Sequence, residues 1–292
     1  MRLTSPQSKF RIVVDHIGAH ISSIVSTDSE TELLLQTPWA DENWGTEFPA
    51  VDAGEEWHRR YPGGWHTLVP HSGNQRRFNG VDHPFHGEAA WRQWRVIHLD
   101  GNSCTFEVVL RTVPFKVTRR IEARDNGVFV EQSVENMSSD QVSFTWTEHP
   151  AFGDALVGTN SELTLSGQKF AANFSRSGFQ EPKVPGSGQA ELHNPDTGYT
   201  AKLSWDPQIL PYMYVWQEHR SSLGFPWWGS TNTVGLEPAS RPYDFEEDSL
   251  GPLKLEGGAS LSTGFLLELS RMPARTATAT TSKNQTERAF IS

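Results

Sequence analysis

A chain of 292 residues, 36% hydrophobic with a mean hydropathy of −0.52, is long enough for one large domain with a substantial core. It holds no apolar run near the ~20 residues of a membrane-spanning helix. Its formal charge of −10, with basic residues dispersed in pairs such as Arg59-Arg60, Arg76-Arg77 and Arg119-Arg120, argues against nucleic acid as a partner and favours a small ligand.

In chain order the hydrophobic period is two almost throughout. Phe10 to Val14 and Ala19 to Ser26 read as strands, and so does Cys104 to Leu110. Phe115, Val117 and Ile121 alternate with Lys116, Thr118 and Arg120. Val128, Val130 and Val134 alternate with Phe129, Glu131 and Glu135. Val142, Phe144 and Trp146 alternate with Ser143, Thr145 and Thr147, and a last strand is expected over Ser260 to Leu269. Turn signals separate the runs at Asp125-Asn-Gly127, Asn136-Met-Ser-Ser139, Asn194-Pro-Asp-Thr-Gly198 and Glu256-Gly-Gly258. No amphipathic helix of 12 residues or more is predicted. The pattern is that of an all-β, antiparallel sandwich. Two long stretches, Trp39 to Trp94 and Pro211 to Pro242, are rich in Gly, Trp and His, and their aromatic content argues for ordered, functional loops. Residues 1–271 are expected to form a single domain and 272–292 a low-complexity tail.

The single cysteine, Cys104, rules out an internal disulfide and a cysteine-based zinc site. The segment from Met1 to Val14 lacks the apolar stretch of a secretory signal, and a cytoplasmic protein is expected. There is no Gly-rich dinucleotide fingerprint, no phosphate-cradling loop and no Gly-x-Ser-x-Gly elbow. His58, His66, His71, His83 and His86 lie close in sequence but form no helical His-Glu-x-x-His arrangement, so no metal is expected.

Three short motifs carry candidate chemistry. In Thr145-Trp-Thr-Glu-His-Pro-Ala-Phe-Gly153 a strand runs into His149 and is expected to stop at Pro150. Parity puts His149 with Ser143, Thr145 and Thr147, away from the apolar set. In Thr233-Val-Gly-Leu-Glu-Pro-Ala-Ser240, Glu237 shares a face with Thr233 and Gly235, opposite Val234 and Leu236, and a proline again follows. His83-Pro-Phe-His86-Gly-Glu-Ala-Ala-Trp91 places His86 beside a glycine that lets the backbone turn. Taken singly, each motif reads equally as an ordinary surface or loop feature.

In this order, on a β-rich chain, His86-Gly87, His149-Pro150 and Glu237-Pro238 resemble the aldose 1-epimerases of the galactose mutarotase-like family. Pro114 to Arg120, Asn126-Gly127 and Val134-Glu-Asn136 resemble that family's middle strands. The resemblance spans roughly residues 10 to 270. It implies a large antiparallel β-supersandwich, His149 as general acid, Glu237 as general base, His86 bonded to the sugar, no cofactor, and a small-molecule sugar as the partner.

The chain departs from the family before its His-Gly motif. Pro62-Gly-Gly-Trp-His-Thr-Leu-Val-Pro-His-Ser-Gly73 stands where hexose mutarotases carry Gly-Arg and Asn-Arg. The Gly63-Gly64 layout looks closer to the hexose-6-phosphate 1-epimerases, in which an arginine directly precedes the glycine pair. Here Pro62 takes that place, and Arg60 and Arg77 are the nearby candidates for a phosphate. A non-phosphorylated or unusual sugar is the favoured expectation. Trp216, Gln217 and Trp228 are candidates for sugar contacts, with core or loop packing as the alternative. The rival readings are a hexose-6-phosphate 1-epimerase, a non-catalytic carbohydrate-binding protein of the same fold, and a hydrolase pairing Glu237 with Glu88, Glu148 or Glu218. An epimerase is expected to set His149 and Glu237 facing each other across a groove.

Overall fold

The computed structural model describes residues 1–42, 52–182, 187–243 and 249–272. The expected tail, apart from Met272, lies outside the described residues. Two nine-stranded antiparallel sheets dominate. The first runs from Arg2–Thr4 through Phe10–Val14, Ile21–Ser26, Trp65–Leu68, Thr147–Phe152, Asn232–Ala239 and Tyr212–His219 to Gly178–Gln180, with Thr31–Glu32 paired beside Ile21–Ser26. The second runs from Gln168–Phe170 through Glu162–Leu165, Gln189–His193, Tyr199–Ser204, Ser260–Arg271, Gly127–Asn136, Phe115–Arg124 and Ser103–Val109 to Arg95–Leu99.

The second sheet buries one face only. Phe115–Arg124 alternates strictly between buried and half-buried residues, and Gly127–Asn136 pairs with it in register through a two-residue turn at Asp125-Asn126. The first sheet is different at its centre. Every residue of Thr147–Phe152 is buried, as is all of Asn232–Ala239 except Asn232. One face of these strands meets the second sheet across the shared core. The other lies beneath aromatic residues of the long loops.

A buried polar cluster joins the two sheets. Arg119 takes a core-facing place in the row of Phe115, Val117 and Ile121 and has no solvent exposure. Its Nη1 donates to both carboxylate oxygens of Glu148, at 3.0 and 2.9 Å, and to Oε1 of Gln132 at 2.8 Å. Glu148 also accepts from Trp65 Nε1 at 2.7 Å and Trp146 Nε1 at 3.0 Å. Gln132 reaches on to Thr67 Oγ1 at 2.9 Å. Glu148 precedes His149, so this cluster fixes the back of the strand whose front carries the histidine.

The strand expected to end at Pro150 instead runs to Phe152, and Pro238 likewise lies inside Asn232–Ala239. A proline fits within a sheet where its nitrogen has no ladder bond to give. The two strands pair at Thr147↔Ala239, then at Ala151↔Gly235 and Phe152↔Val234, and the hydrogen-bonded pairing is interrupted between, where Pro150 and Pro238 fall. The expected run from Val142 to Thr147 is also broken. Val142–Phe144 pairs with Leu253–Leu255 in a small separate sheet, and the first sheet is joined only from Thr147.

Candidate active site

The register that sets Thr147 opposite Ala239 and Ala151 opposite Gly235 sets His149 opposite Glu237. His66 is the partner of His149 on one side and Tyr214 that of Glu237 on the other, so four adjacent strands present these residues in one row on one face. His149 Nε2 lies 3.3 Å from Glu237 Oε1. The pair therefore stands side by side on the floor of the site, not facing across a groove as the sequence suggested. Adjacent strands in register leave no wider gap.

Over this floor lies a cavity of about 380 Å³. That volume falls within the range of small-molecule sites. The helix Ala53–Arg60 supplies one wall. Its N-terminus is capped by Asp52, whose side chain accepts from Glu55 N at 2.9 Å, and its last turn is basic, as the helix dipole favours. Trp57, His58 and the following Tyr61 line the cavity. Trp57 meets the His86 ring at 5.0 Å, nearly perpendicular. Tyr61 Oη lies 3.4 Å from His149 Nδ1. Trp216 and Trp227, with ring centroids 5.3 Å apart, adjoin Tyr61 at 5.9 and 6.1 Å, and Phe85, Phe179 and Tyr243 complete the lining.

The tautomer of His86 is set by the backbone. Its Nδ1 accepts from Gly73 N at 3.0 Å, which leaves the ring proton on Nε2. Burial, followed by the neighbouring histidines, pushes its pKa well below the usual value. The ring is therefore neutral and offers one donor. Burial also lowers His149, to about 4, against a hydrogen bond to its own backbone carbonyl, and raises Glu237 well above the usual carboxyl range. Both shifts favour the uncharged forms, the arrangement in which the proton shared by the pair rests on the carboxyl.

Buried rings also set an acid limit on the fold. His71 and His149 are each held at about 4, His66 and His86 well below 6.5, and His20 is lowered, in every case chiefly by burial. The unfolded chain takes up these protons near pH 6.5, and the folded chain only at lower pH, about 4 for His71 and His149. Between those values the unfolded state binds more protons, so stability falls as pH falls. Glu32 and Glu237, raised by burial, act in the opposite sense as pH rises above the ordinary carboxyl range, two groups against five rings. The urea midpoint is expected to be lower at about pH 5 than at about pH 7. A flat profile would mean that the rings are charged in the folded protein.

The structure brings His149, Glu237, His86 and Trp216 to one cavity and leaves the other sequence candidates elsewhere. Gln217 follows Trp216 in the strand and so points to the opposite face, where its Nε2 donates to Asn173 O at 3.0 Å. Trp228 is exposed, with φ 48°, and the preceding Trp227 turns inward in its place. Arg60 pairs with Glu56 on the helix, and Arg77 pairs with Asp82 at 2.8 Å on the exposed hairpin of Arg76–Phe78 and Val81–His83. Glu237 is the one carboxylate among the described lining residues. Glu148 faces Arg119 in the core, Glu88 accepts from the Arg111 and Thr112 amides, and Glu218 accepts from Ser177 and Ser222. A hydrolase that pairs Glu237 with any of these is not supported. Among the described residues no group of three or more His, Cys, Asp or Glu is placed to hold a metal, and no helix is long and apolar enough to cross a membrane.

The sequence reading missed Trp57, Tyr61 and Trp227. For the first two a signal was present: Asp52 and Glu55 form a helix-starting pair three residues apart.

No protein-family model and no curated protein matches this chain. Solved structures do. A protein from Synechocystis sp. PCC 6803 is similar with a TM-score of 0.71 at 16% identity, over 93% of this chain and 96% of that one. A galactose mutarotase related enzyme from Lactobacillus acidophilus gives 0.69 at 17% identity, over 92% and 97%. A galactose mutarotase-like protein from Clostridium acetobutylicum gives 0.65 at 14% identity, over 93% and 95%. The fold is the galactose mutarotase-like β-sandwich.

Proposed function

We propose that this protein is an aldose 1-epimerase that interconverts the α and β anomers of a sugar through its open-chain form. The observation that carries the proposal is the contact of His149 with Glu237 at 3.3 Å on the floor of a buried aromatic cavity. The anomeric hydroxyl and the ring oxygen are bonded to the same carbon and lie closer together than a hydrogen-bond length. Two proton-exchanging groups side by side therefore suit them better than two groups across a ring.

The proton count is right for the reaction. Transfer of the shared proton from Glu237 to His149 gives a carboxylate and an imidazolium. The carboxylate takes the proton of the anomeric hydroxyl while the imidazolium protonates the ring oxygen. The C1–O5 bond breaks and C1 becomes a carbonyl. After rotation about C1–C2 the hydroxyl attacks the other face of the carbonyl, His149 recovers its proton, and Glu237 returns the other to the new anomeric oxygen. The pair begins and ends with one proton, and no redox partner is required. His86, through Nε2–H, is placed to hold a sugar oxygen. The aromatic walls make the surroundings of the charged step less polar than water.

The test is saturation transfer between anomeric proton resonances of free aldoses, with and without protein. Faster exchange with protein supports the proposal. No acceleration for neutral, acidic or phosphorylated aldoses would leave a binding protein.

Gly235 provides a finer test. A Cβ at this position would lie 2.8 Å from Glu237 Oε1 and 3.2 Å from the Trp216 ring. The carboxylate end can swing away at small cost to the fold, but not while keeping its place beside His149. Gly235→Ala is expected to lower kcat by about tenfold to a hundredfold with the urea midpoint little changed. Wild-type kcat in the variant would show that the carboxylate position is immaterial.

A further inference from the structure

We propose that Tyr61 is a positioning residue for His149: its phenol oxygen accepts a hydrogen bond from His149 Nδ1–H and stabilises the imidazolium that forms when Glu237 gives up its proton. This rests on the epimerase reading above and adds a residue to that same site. Two observations carry it.

The first is the pair of contacts made by the His149 ring. Among the described residues, two side chains come within hydrogen-bond reach of it: Glu237, with Oε1 3.3 Å from Nε2, and Tyr61, with Oη 3.4 Å from Nδ1. Nδ1 also bonds to the backbone carbonyl of His149 itself. A carbonyl oxygen only accepts, so Nδ1 carries the hydrogen and Nε2 the lone pair. Tyr61 is then the acceptor in its contact, and Nε2 is open to the Glu237 proton. When that proton crosses, the Glu237 O–H bond breaks and an Nε2–H bond forms, while the Nδ1–H bond stays in place. The ring becomes a cation, Nδ1–H becomes a stronger donor, and its bond to the phenol oxygen strengthens. The resting distance is long, and contacts of this kind tighten as the reaction proceeds.

The second is the way the phenol is held. Tyr61 directly follows the helix Ala53–Arg60, and its carbonyl accepts from Thr37 Oγ1 and Trp39 Nε1, each at 3.0 Å. Its ring is buried against Trp57 at 5.7 Å and Trp216 at 5.9 Å. Burial, and then the nearness of Glu237, raise its pKa well above the usual value. The hydroxyl therefore keeps its hydrogen and brings no charge of its own. A neutral oxygen already fixed beside Nδ1 needs no reorganisation when the imidazolium appears.

The experiment compares Tyr61→Phe with wild type in anomer exchange, using whichever of the neutral, acidic and phosphorylated aldoses wild type turns over fastest. Circular dichroism and a urea titration check the fold. Phenylalanine keeps the ring and removes only the oxygen. kcat is expected to fall by about tenfold to a hundredfold, the worth of one hydrogen bond to a charged group, with KM within about twofold of wild type. In parallel, long-range proton–nitrogen NMR spectra of the histidine rings, with the His149 signals assigned through His149→Ala, read the wild-type tautomer without any sugar. They are expected to place the His149 hydrogen on Nδ1. Wild-type kcat in Tyr61→Phe, a raised KM at unchanged kcat, or a His149 hydrogen on Nε2 overturns the role of Tyr61 while the epimerase reading stands. If no aldose exchanges faster with protein, that reading fails and this inference with it.

Discussion

Glu237→Gln is expected to slow anomer exchange by about 10²–10⁴-fold while the protein remains folded, since that is the usual worth of a positioned proton-transfer group. Glutamine keeps the shape of the side chain and its neutrality. Burial pushes Glu237 towards its uncharged form, so a neutral glutamine suits the same setting and adds no buried charge. What is lost is a proton that His149, 3.3 Å away, can receive and return. Circular dichroism and a urea titration check the fold, and saturation transfer checks the rate. A variant that is folded and fully active would remove Glu237 from the mechanism.

Arg119→Met is expected to destabilise the protein by about 3–5 kcal/mol, the usual cost of stripping one partner from a buried ion pair. Arg119 and Glu148 have no solvent exposure, and the variant leaves the carboxylate facing only the two indole N–H groups of Trp65 and Trp146. Among the described residues Arg119 Nε and Nη2 find no acceptor, so the native cluster is itself only partly satisfied. The double variant Arg119→Met/Glu148→Leu is therefore expected to be more stable than Arg119→Met alone. Chemical denaturation of the variants measures this, and an unchanged midpoint for Arg119→Met would show that the pair holds nothing together.

This cluster was present in the sequence as two gaps. Arg119 interrupts the apolar row of Phe115, Val117 and Ile121, and Gln132 interrupts that of Val128, Val130 and Val134. The two positions are direct partners across the strands, so the gaps coincide. Rows of this kind are readable because the second sheet wets one face. The central strands of the first sheet are buried on both faces and alternate in no such way, which is why prolines 150 and 238 looked like strand ends. Parity still separated Glu237 from Val234 and Leu236. The same parity sets Gln217 on the face opposite Trp216. The choice between Trp227 and Trp228 depends on a turn in which Trp228 takes positive φ, and nothing in the local sequence determines which indole points inward. The helix Ala53–Arg60 has 8 residues, too few for a helical period to stand out, though Asp52 and Glu55 mark its start.

The resemblance of three short motifs to a family of known fold was sufficient for the architecture. It left open the arrangement of the pair. Opposed groups and adjacent groups give the same sequence pattern, and only the strand register separates them.

The central claim is that His149 and Glu237 act as one proton-exchanging unit. Its most direct test is a double-mutant cycle of anomer exchange with His149→Ala, Glu237→Gln and both together, each confirmed as folded. A shared proton predicts that either single variant loses nearly all of the acceleration and that the double variant is scarcely worse. Losses that multiply in the double variant would contradict it, because the two residues would then be acting independently.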